Sequence, residues 1–420
     1  MLRALGNFER ALRLSDLYSP FNIVAAVELE SPLPPAAIQK ALAALQVRHP
    51  FLRARVELCG RRPCFVEMDN FSAPFALLDH QTSWLNIVEN ELQRGMDSFA
   101  GPLFRCTYIH DGSGAELLLT LQHTIVDANS AAHLLHELLT LSSDPLASLP
   151  HLEPAPAVET RFPPSYRGIG RFLRTLNYAA RQATDELRYQ IASRGRPQPP
   201  VKLGAQPRVL TMTLNAPLTD SLARRARIEK VTLNSLLQAA MMLAVDRRRY
   251  NRQQTPIRTF AFPDLRAYVT PPLEAEHMGA YISMLRYTFT VTGDQPVWNL
   301  ARTVNDTIQH SFQRGDKFTA SLMSEGLMKV LLGLKSMRMG ATALSYTSGS
   351  DVLNQYGETK VRALHGFVSN IDLGPEFSAQ VSLFNDGLIW DMVYLDQDMD
   401  RAEAEEIAGE IRAVLEESIR

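Results

Sequence analysis

The sequence predicts a mixed α/β protein built as two lobes, and three observations carry that expectation. The chain has 420 residues, 45% of them hydrophobic and 21% charged, a globular composition long enough for two cores. Strand-like and helix-like segments recur in similar amounts in both halves. A proline-rich break separates them, with Pro145, Pro150, Pro154, Pro156, Pro163 and Pro164 inside Ser142–Pro164. The expected boundaries are 1–165 for an N-terminal lobe, 166–207 for a linker helix and connector, and 208–420 for a C-terminal lobe.

Met1–Asp16 carries Arg3, Glu9, Arg10, Arg13 and Asp16 and lacks the apolar core of a signal peptide, so a cytoplasmic protein is expected. Pro34 and Pro35 open a helix whose Ile38, Leu42 and Leu45 share a face, and Pro50 ends it. Leu52, Ala54, Val56 and Leu58 alternate with Arg53, Arg55 and Glu57, as in a strand with one wet face. Cys59 and Cys64 bracket Gly60–Pro63, which predicts facing positions on a hairpin. With Cys106 they make an odd set of three, read as reduced thiols rather than a disulfide framework. Ser83 is a fitting N-cap for a helix over Trp84–Arg94, and Asp111–Gly114 reads as a turn between strands.

Beyond the proline-rich connector, Tyr166–Ser193 reads as helix and Arg196–Pro207 as a second break. Thr232–Arg249 predicts a long helix with Leu236, Leu237, Ala240 and Leu243 inside. Ile257–Phe262, Tyr281–Thr290, Gln380–Phe384 and Leu388–Leu395 read as strands, the last two joined by an Asp386-Gly387 turn. Asp400 and Glu403 predict a capping box on the final helix.

Charge and motifs exclude several function classes. The formal net charge is −2 and no basic stripe interleaved with aromatics occurs, so no nucleic-acid partner is expected. The strongest basic run, Arg247-Arg248-Arg249, closes an apolar helix, where cations suit the dipole; the competing reading is a phosphate contact for a pantetheine or CoA donor. No apolar run is long enough to cross a membrane. His133 and His136 are read as solvated or capping residues, and no metal site is expected. Neither a GxSxG elbow, a GxxxxGK[ST] loop nor an HExxH helix is present.

The chemistry concentrates in Leu117–Leu139. Leu117, Leu118, Leu119 and Leu121 form a buried strand, and Leu134, Leu135, Leu138 and Leu141 recur at helical spacing after it. Between them stand His123 and Asp127. An imidazole where a sheet ends can take a proton from a bound hydroxyl or amine, and a carboxylate four residues on can brace the turn. The competing reading is a surface histidine beside a helix-capping aspartate.

Gln122-His123-Thr124-Ile125-Val126-Asp127-Ala128 resembles the HHxxxDG signature of the acyltransferase superfamily of condensation domains, polyketide-associated acyltransferases, alcohol O-acetyltransferases and chloramphenicol acetyltransferase. The second histidine and the aspartate match; Gln122 and Ala128 replace the first histidine and the glycine. Asn22–Glu30 with Leu42, Arg48, His49, Pro50, Leu52 and Arg53 resembles the superfamily's opening strand, helix and RHPxLR segment. Pro263-Asp264-Leu265-Arg266 followed by Gly279 and Tyr281 is similar to the DLR…GNY segment of the alcohol acetyltransferase-like branch, and Ser345-Tyr346, Tyr356-Gly357 and Ser369-Asn370 fall where its second-half loops lie.

The resemblance implies two chloramphenicol-acetyltransferase-like lobes with the active site in the cleft between them, and His123 as general base for acyl transfer from a thioester without an acyl-enzyme. It implies Asp127 as a structural residue paired with Arg266 across the lobes. Gln122, Ala128, Ser345, Tyr346 and Asn370 become candidate substrate or oxyanion contacts, with Ala128 adding a methyl group where glycine would permit positive φ and close approach of a pantetheine arm. The implied activity is O-acyl transfer in lipid or secondary-metabolite biosynthesis; a condensation-type amide-forming enzyme and a catalytically silent scaffold are the alternatives. No bound cofactor is expected, acyl-CoA or a phosphopantetheinyl thioester being a co-substrate. An alcohol or amine acceptor, an acyl carrier protein and a monomeric state complete the expectation.

Overall fold

The computed structural model describes residues 1–69, 71–79, 83–110, 112–194, 201, 204–250, 254–334, 338–347 and 351–420. The first half runs β1 (Arg3–Ala4), α1 (Asn7–Tyr18), β2 (Asn22–Leu29), α2 (Pro35–Arg48), β3 (Ala54–Cys59), β4 (Arg62–Glu67) and β5 (Phe75–Leu78). It continues with α3 (Trp84–Gln93), β6 (Phe104–His110), β7 (Ala115–Gln122), α4 (Ala128–Ser143) and α5 (Gly168–Ala192). After the connector come β8 (Pro207–Leu214), α6 (Ala216–Ile228), α7 (Leu233–Arg248), β9 (Thr255–Ala261), β10 (Leu285–Val291), α8 (Val297–Arg314) and α9 (Asp316–Leu334). The chain closes with β11 (Thr342–Thr347), β12 (Gln355–Tyr356), β13 (Thr359–Val368), β14 (Phe377–Phe384), β15 (Gly387–Leu395) and α10 (Arg401–Glu417).

Two large mixed sheets organise the lobes. One has the order β12-β13-β2-β7-β6-β5 and the other β10-β9-β11-β14-β15-β8, while β1-β4-β3 forms a small third sheet. On one face of the first sheet, α2 and α4 bury Ile38, Leu42, Leu45, Leu134, Leu135 and Leu138 against Ile23, Ala25, Val27, Leu117 and Leu119. The second sheet packs against α7, α8 and α10. Helix α7 is buried on nearly every side, and Ala239, Met241, Met242, Ala244 and Val245 are buried along with the four residues the periodicity predicts inside.

The predicted boundary at 208 does not divide the lobes. Strands β12 and β13 come from the C-terminal half yet complete the first sheet, β13 pairing antiparallel with β2 from Val361↔Leu29 to Val368↔Ile23. Helix α1 likewise leaves the first lobe to pack on α9, with Arg10 bound to Glu325 at 2.6 Å. His365 of β13 joins the sheets directly: Nδ1 lies 2.8 Å from Asp391 of β15 and Nε2 3.1 Å from Glu28 of β2. Burial pushes this imidazole's pKa down, but the two carboxylates more than reverse that and raise it to about 10.

Several local expectations shift. Across the β3–β4 hairpin Cys59 faces Arg62 and Cys64 faces Glu57, so the cysteines are not partners across the ladder; all three cysteines are free. The β14–β15 turn is Asn385-Asp386, both at positive φ, one residue earlier than predicted, because Asn and Asp tolerate the left-handed region that a two-residue hairpin demands. Tyr281 lies ahead of β10, held by an isolated bridge between Asp264 and Ile282. Asp400 caps α10 through the Glu403 N–H at 2.8 Å, but the Glu403 carboxylate reaches Arg249 instead of closing a box. The basic run is consumed by carboxylates: Arg247 and Arg248 bind Glu410, and Arg249 binds Glu376 and Glu403. His133 and His136 are not solvated either, since His133 contacts Glu137 and Asp351 and His136 contacts the Tyr356 hydroxyl. The predicted Asp111–Gly114 turn and Arg196–Pro207 break fall partly outside the described residues. No helix among those residues is long and apolar enough to cross a membrane.

Candidate active site between the two sheets

Strand β7 ends at Gln122, and the chain makes a single 3-10 turn over His123–Ile125 before α4 begins. The turn is pinned from both sides: the His123 N–H donates to Phe21 O at 2.9 Å and the Asp127 N–H to Gly279 O at 3.0 Å. The His123 ring, 7% exposed, stacks on Phe21 at 5.3 Å between centroids. Its Nδ1 lies 2.8 Å from Val126 O. A carbonyl oxygen only accepts, so Nδ1 carries the proton and Nε2 keeps a lone pair. Burial pushes the imidazole pKa below its usual value, outweighing its backbone hydrogen bonds and the nearby Asp127 charge. His123 is therefore a neutral base with one defined tautomer at neutral pH.

Asp127 is wholly buried and saturated with donors. Arg266 grips it with two parallel bonds, Nη1 to Oδ2 at 2.9 Å and Nη2 to Oδ1 at 3.0 Å. The Ser130 N–H donates to Oδ1 and the Tyr281 N–H to Oδ2, each at 2.9 Å. Burial alone would raise this carboxyl, but the Arg266 charge and these hydrogen bonds hold its pKa below the usual range. Asp127 is thus also the N-cap of α4. The competing picture of a helix-capping aspartate is true of its geometry, though the residue is interior and His123 is not on the surface.

Around that pair lie residues that sequence reasoning missed. Ser130 Oγ accepts from Arg266 Nη2 at 2.7 Å and donates to Gly279 O at 3.1 Å, so it stitches α4 to the segment before β10. Asp264 accepts from the Arg266 N–H at 2.9 Å and from Asn129 Nδ2 at 2.9 Å, adding a second bridge. Ser130 was visible only as the residue three after a helix-capping aspartate; Phe21 carried no signal at all.

The remaining candidates divide. Ala128, the first residue of α4, lines a cleft of about 410 Å³, counting its solvent-open part, together with Ala131, Ala132, Ile23, Ala25 and Val368 from the first lobe and Thr347, Gln380 and Ser382 from the second. It is not among the residues at positive φ, so no glycine is required there and its methyl group simply forms wall. Ser345 stands two residues before Thr347 on the same strand face but is not among the lining residues. Three candidates point elsewhere. Tyr346, on the opposite face of β11, packs into the second-lobe core, as strand alternation requires. Asn370 Nδ2 donates to Pro375 O at 2.5 Å and serves its own turn. Gln122 Nε2 donates to Asp16 Oδ2 at 2.8 Å and to Met96 O at 3.3 Å; Asp16 is raised to about 6 by burial, partly opposed by the Phe21 N–H and Arg13.

Residues 203–342 match the family described as phthiocerol/phthiodiolone dimycocerosyl transferase C-terminus. Phosphinothricin tripeptide synthetase PhsC of Streptomyces viridochromogenes is 28% identical over 130 residues, covering 29% of this chain and 12% of that protein's length. In structure, the chain is similar to polyketide synthase associated protein 5 of Mycobacterium tuberculosis, with a TM-score of 0.71, 18% identity and 99% of each chain covered. It is also similar to trichothecene 15-O-acetyltransferase of Fusarium sporotrichioides, with a TM-score of 0.78, 12% identity, and 100% of this chain and 95% of that one covered. The condensation domain of the monacolin K polyketide synthase aligns with a TM-score of 0.69 at 12% identity.

Proposed function

We propose that the chain moves an acyl group from a thioester, acyl-CoA or carrier-protein-bound, to an alcohol, with His123 as the general base; the match of residues 203–342 to a dimycocerosyl transferase C-terminus and the fold shared with a 15-O-acetyltransferase support this reading. The observation that carries this reading is the fixed tautomer of a buried, neutral His123, held in the turn that opens into α4, whose first residue Ala128 lines the inter-lobe cleft although His123 itself is not among the lining residues. The lone pair of Nε2 takes the proton of the acceptor hydroxyl as its oxygen attacks the thioester carbonyl. Collapse of the tetrahedral adduct breaks the carbon–sulfur bond, and the imidazolium returns the proton to the departing thiolate. No acyl-enzyme is needed. General base catalysis of this kind contributes on the order of 10² to 10⁴ in rate, the rest coming from positioning.

Asp127 and Arg266 act as positioning residues: their bridge fixes where β7 ends relative to the second lobe, and so where His123 stands. Apolar walls of Ala25, Ala128, Ala131 and Ala132 suit an alkyl chain, while Thr347, Gln380 and Ser382 offer polar groups on the facing strands. Amide formation is the second reading, favoured by the match to a peptide synthetase. Thioester consumption with a panel of acyl-CoAs against alcohols and amines, followed by mass spectrometry of the products, separates the two. Turnover no greater than that of His123→Ala with every donor and acceptor would leave only a silent scaffold.

A further inference from the structure

Helix α5 is mounted the wrong way round for a globular protein. Ile169, Phe172, Leu173, Leu176, Leu187 and Ile191 recur at helical spacing on one face, and that face looks outward: Ile169 is 79% exposed, Phe172 66% and Leu187 62%. Attachment to the protein is made by the polar side. Arg181 binds Asp316, Asp185 accepts from the Thr288 hydroxyl at 2.9 Å, and Glu186 binds Arg258 at 2.6 Å. Tyr178 alone is buried, and Tyr189 lies under Arg258. From Ile169 to Ile191 the apolar stripe is about 33 Å long. Soluble proteins seldom expose so much contiguous apolar surface without a partner.

Charge decides which partner fits. Both acidic side chains of α5 are engaged with the protein, whereas Arg171 and Arg188 make no ion pair among the described residues, and Arg167 and Arg194 flank the helix ends. Arg188 flanks the stripe, and Arg171 is exposed on the other side of the helix near its start, so the uncompensated charge on the helix is positive, although the chain as a whole carries −2. A second copy paired through the stripe fits badly, because a parallel arrangement sets Arg188 against itself and neither orientation brings a free carboxylate of the helix to it. An apolar helix face bordered by unpaired cations matches the boundary between acyl chains and anionic headgroups. We propose that α5 docks this protein on the surface of an anionic phospholipid bilayer, lying in the interface without crossing it. This reading is independent of the acyl-transfer proposal.

Flotation with vesicles of phosphatidylcholine mixed with phosphatidylglycerol, against vesicles of phosphatidylcholine alone, tests it. The wild-type protein should partition onto the anionic vesicles and be released by salt. Phe172→Glu combined with Leu176→Glu should weaken that partitioning at least about tenfold, and Arg171→Gln or Arg188→Gln about fivefold each. All of these side chains face solvent, so the thermal transition should stay put; Leu187→Gln gives a second, milder probe should the double variant melt early. Absence of wild-type partitioning, or equal partitioning by the apolar variants, overturns the proposal. So does sedimentation showing a wild-type dimer that the double variant converts to monomer, because the stripe would then be a self-association surface.

Discussion

Arg266 holds both carboxylate oxygens of Asp127 with its two terminal nitrogens, at 2.9 and 3.0 Å, across the boundary between the lobes. Neither group has another source of compensation of equal strength in an interior where each is nearly dry. Removing one partner leaves the other buried and charged, which costs roughly 3 to 5 kcal/mol. Arg266→Met and Asp127→Ala should each lower the melting temperature by several degrees and reduce turnover with it. The paired change Asp127→Leu with Arg266→Met should recover part of the stability, leaving turnover low because the bracing of the His123 turn is gone. Thermal melts and initial rates on the four proteins read this directly; a double variant no more stable than the singles would mean the pair is not the relevant unit.

His123 should set the acidic limb of the rate profile. Burial holds its pKa below the usual value of about 6.5, so the base form persists into mildly acidic solution. Plotted against pH, kcat/KM should be flat from neutrality down past about 6.5 and fall only below it. His123→Ala should lower kcat by about 10² to 10⁴ in a protein that still folds, though with a lowered melting temperature because the buried ring and its bond to Val126 O are lost. An acidic limb centred at or above the ordinary histidine value would contradict the buried, singly protonated imidazole.

The part of the site that could be read from sequence lies within a few residues of the chain. His123 and Asp127 are fixed by one strand end and one helix start, features written in apolar periodicity and capping chemistry. Arg266 came only through resemblance, since nothing in its own neighbourhood points 139 residues back. The roles of Phe21, Asp16 and Ser130 are tertiary in the same way: Phe21 stacks on His123, Asp16 meets Gln122, and Ser130 meets Arg266 and Gly279. Tyr346 entered through the resemblance, which brings a segment to the cleft without telling which of its two alternating faces meets it. The largest miss, β13 joining the first sheet, reflects a crossover that breaks the tie between sequence order and lobe. Glu403 shows how a local signal loses to a longer-range one, its capping role given up to Arg249.

Ala132 sits one helical turn from Ala128 in the same wall. Enlarging it fills the cleft from the first-lobe side without touching His123 or Asp127. Ala132→Leu should therefore raise KM for long acyl donors more than for acetyl, and Ala128→Gly should shift preference the other way while costing at most about 1 kcal/mol of helix stability. Rates for a series of acyl-CoAs of increasing length with each variant decide it. Identical chain-length profiles in all three proteins would place the acyl group elsewhere.

The last expectation concerns the clamp between the sheets. Asp391 and Glu28 raise His365 to about 10, well above the roughly 6.5 of an unfolded histidine, despite the opposing effect of burial. A raised folded-state value means the native protein binds the proton more tightly than the unfolded chain does, so its contribution to stability is complete below about 6.5 and is lost as pH rises through about 10. In His365→Gln, Asp391 loses its cation and keeps the Gly366 N–H at 2.8 Å, while Glu28 keeps only the more distant Arg362 at 3.8 Å. The variant should accordingly be much less stable than wild type at pH 7 and approach it near pH 10, because by then the wild-type imidazole is also neutral. Denaturant midpoints for both proteins across that range measure the gap. A gap that stays constant from neutral to alkaline pH would show that His365 contributes packing against Trp84, whose ring lies 4.9 Å away, and not charge.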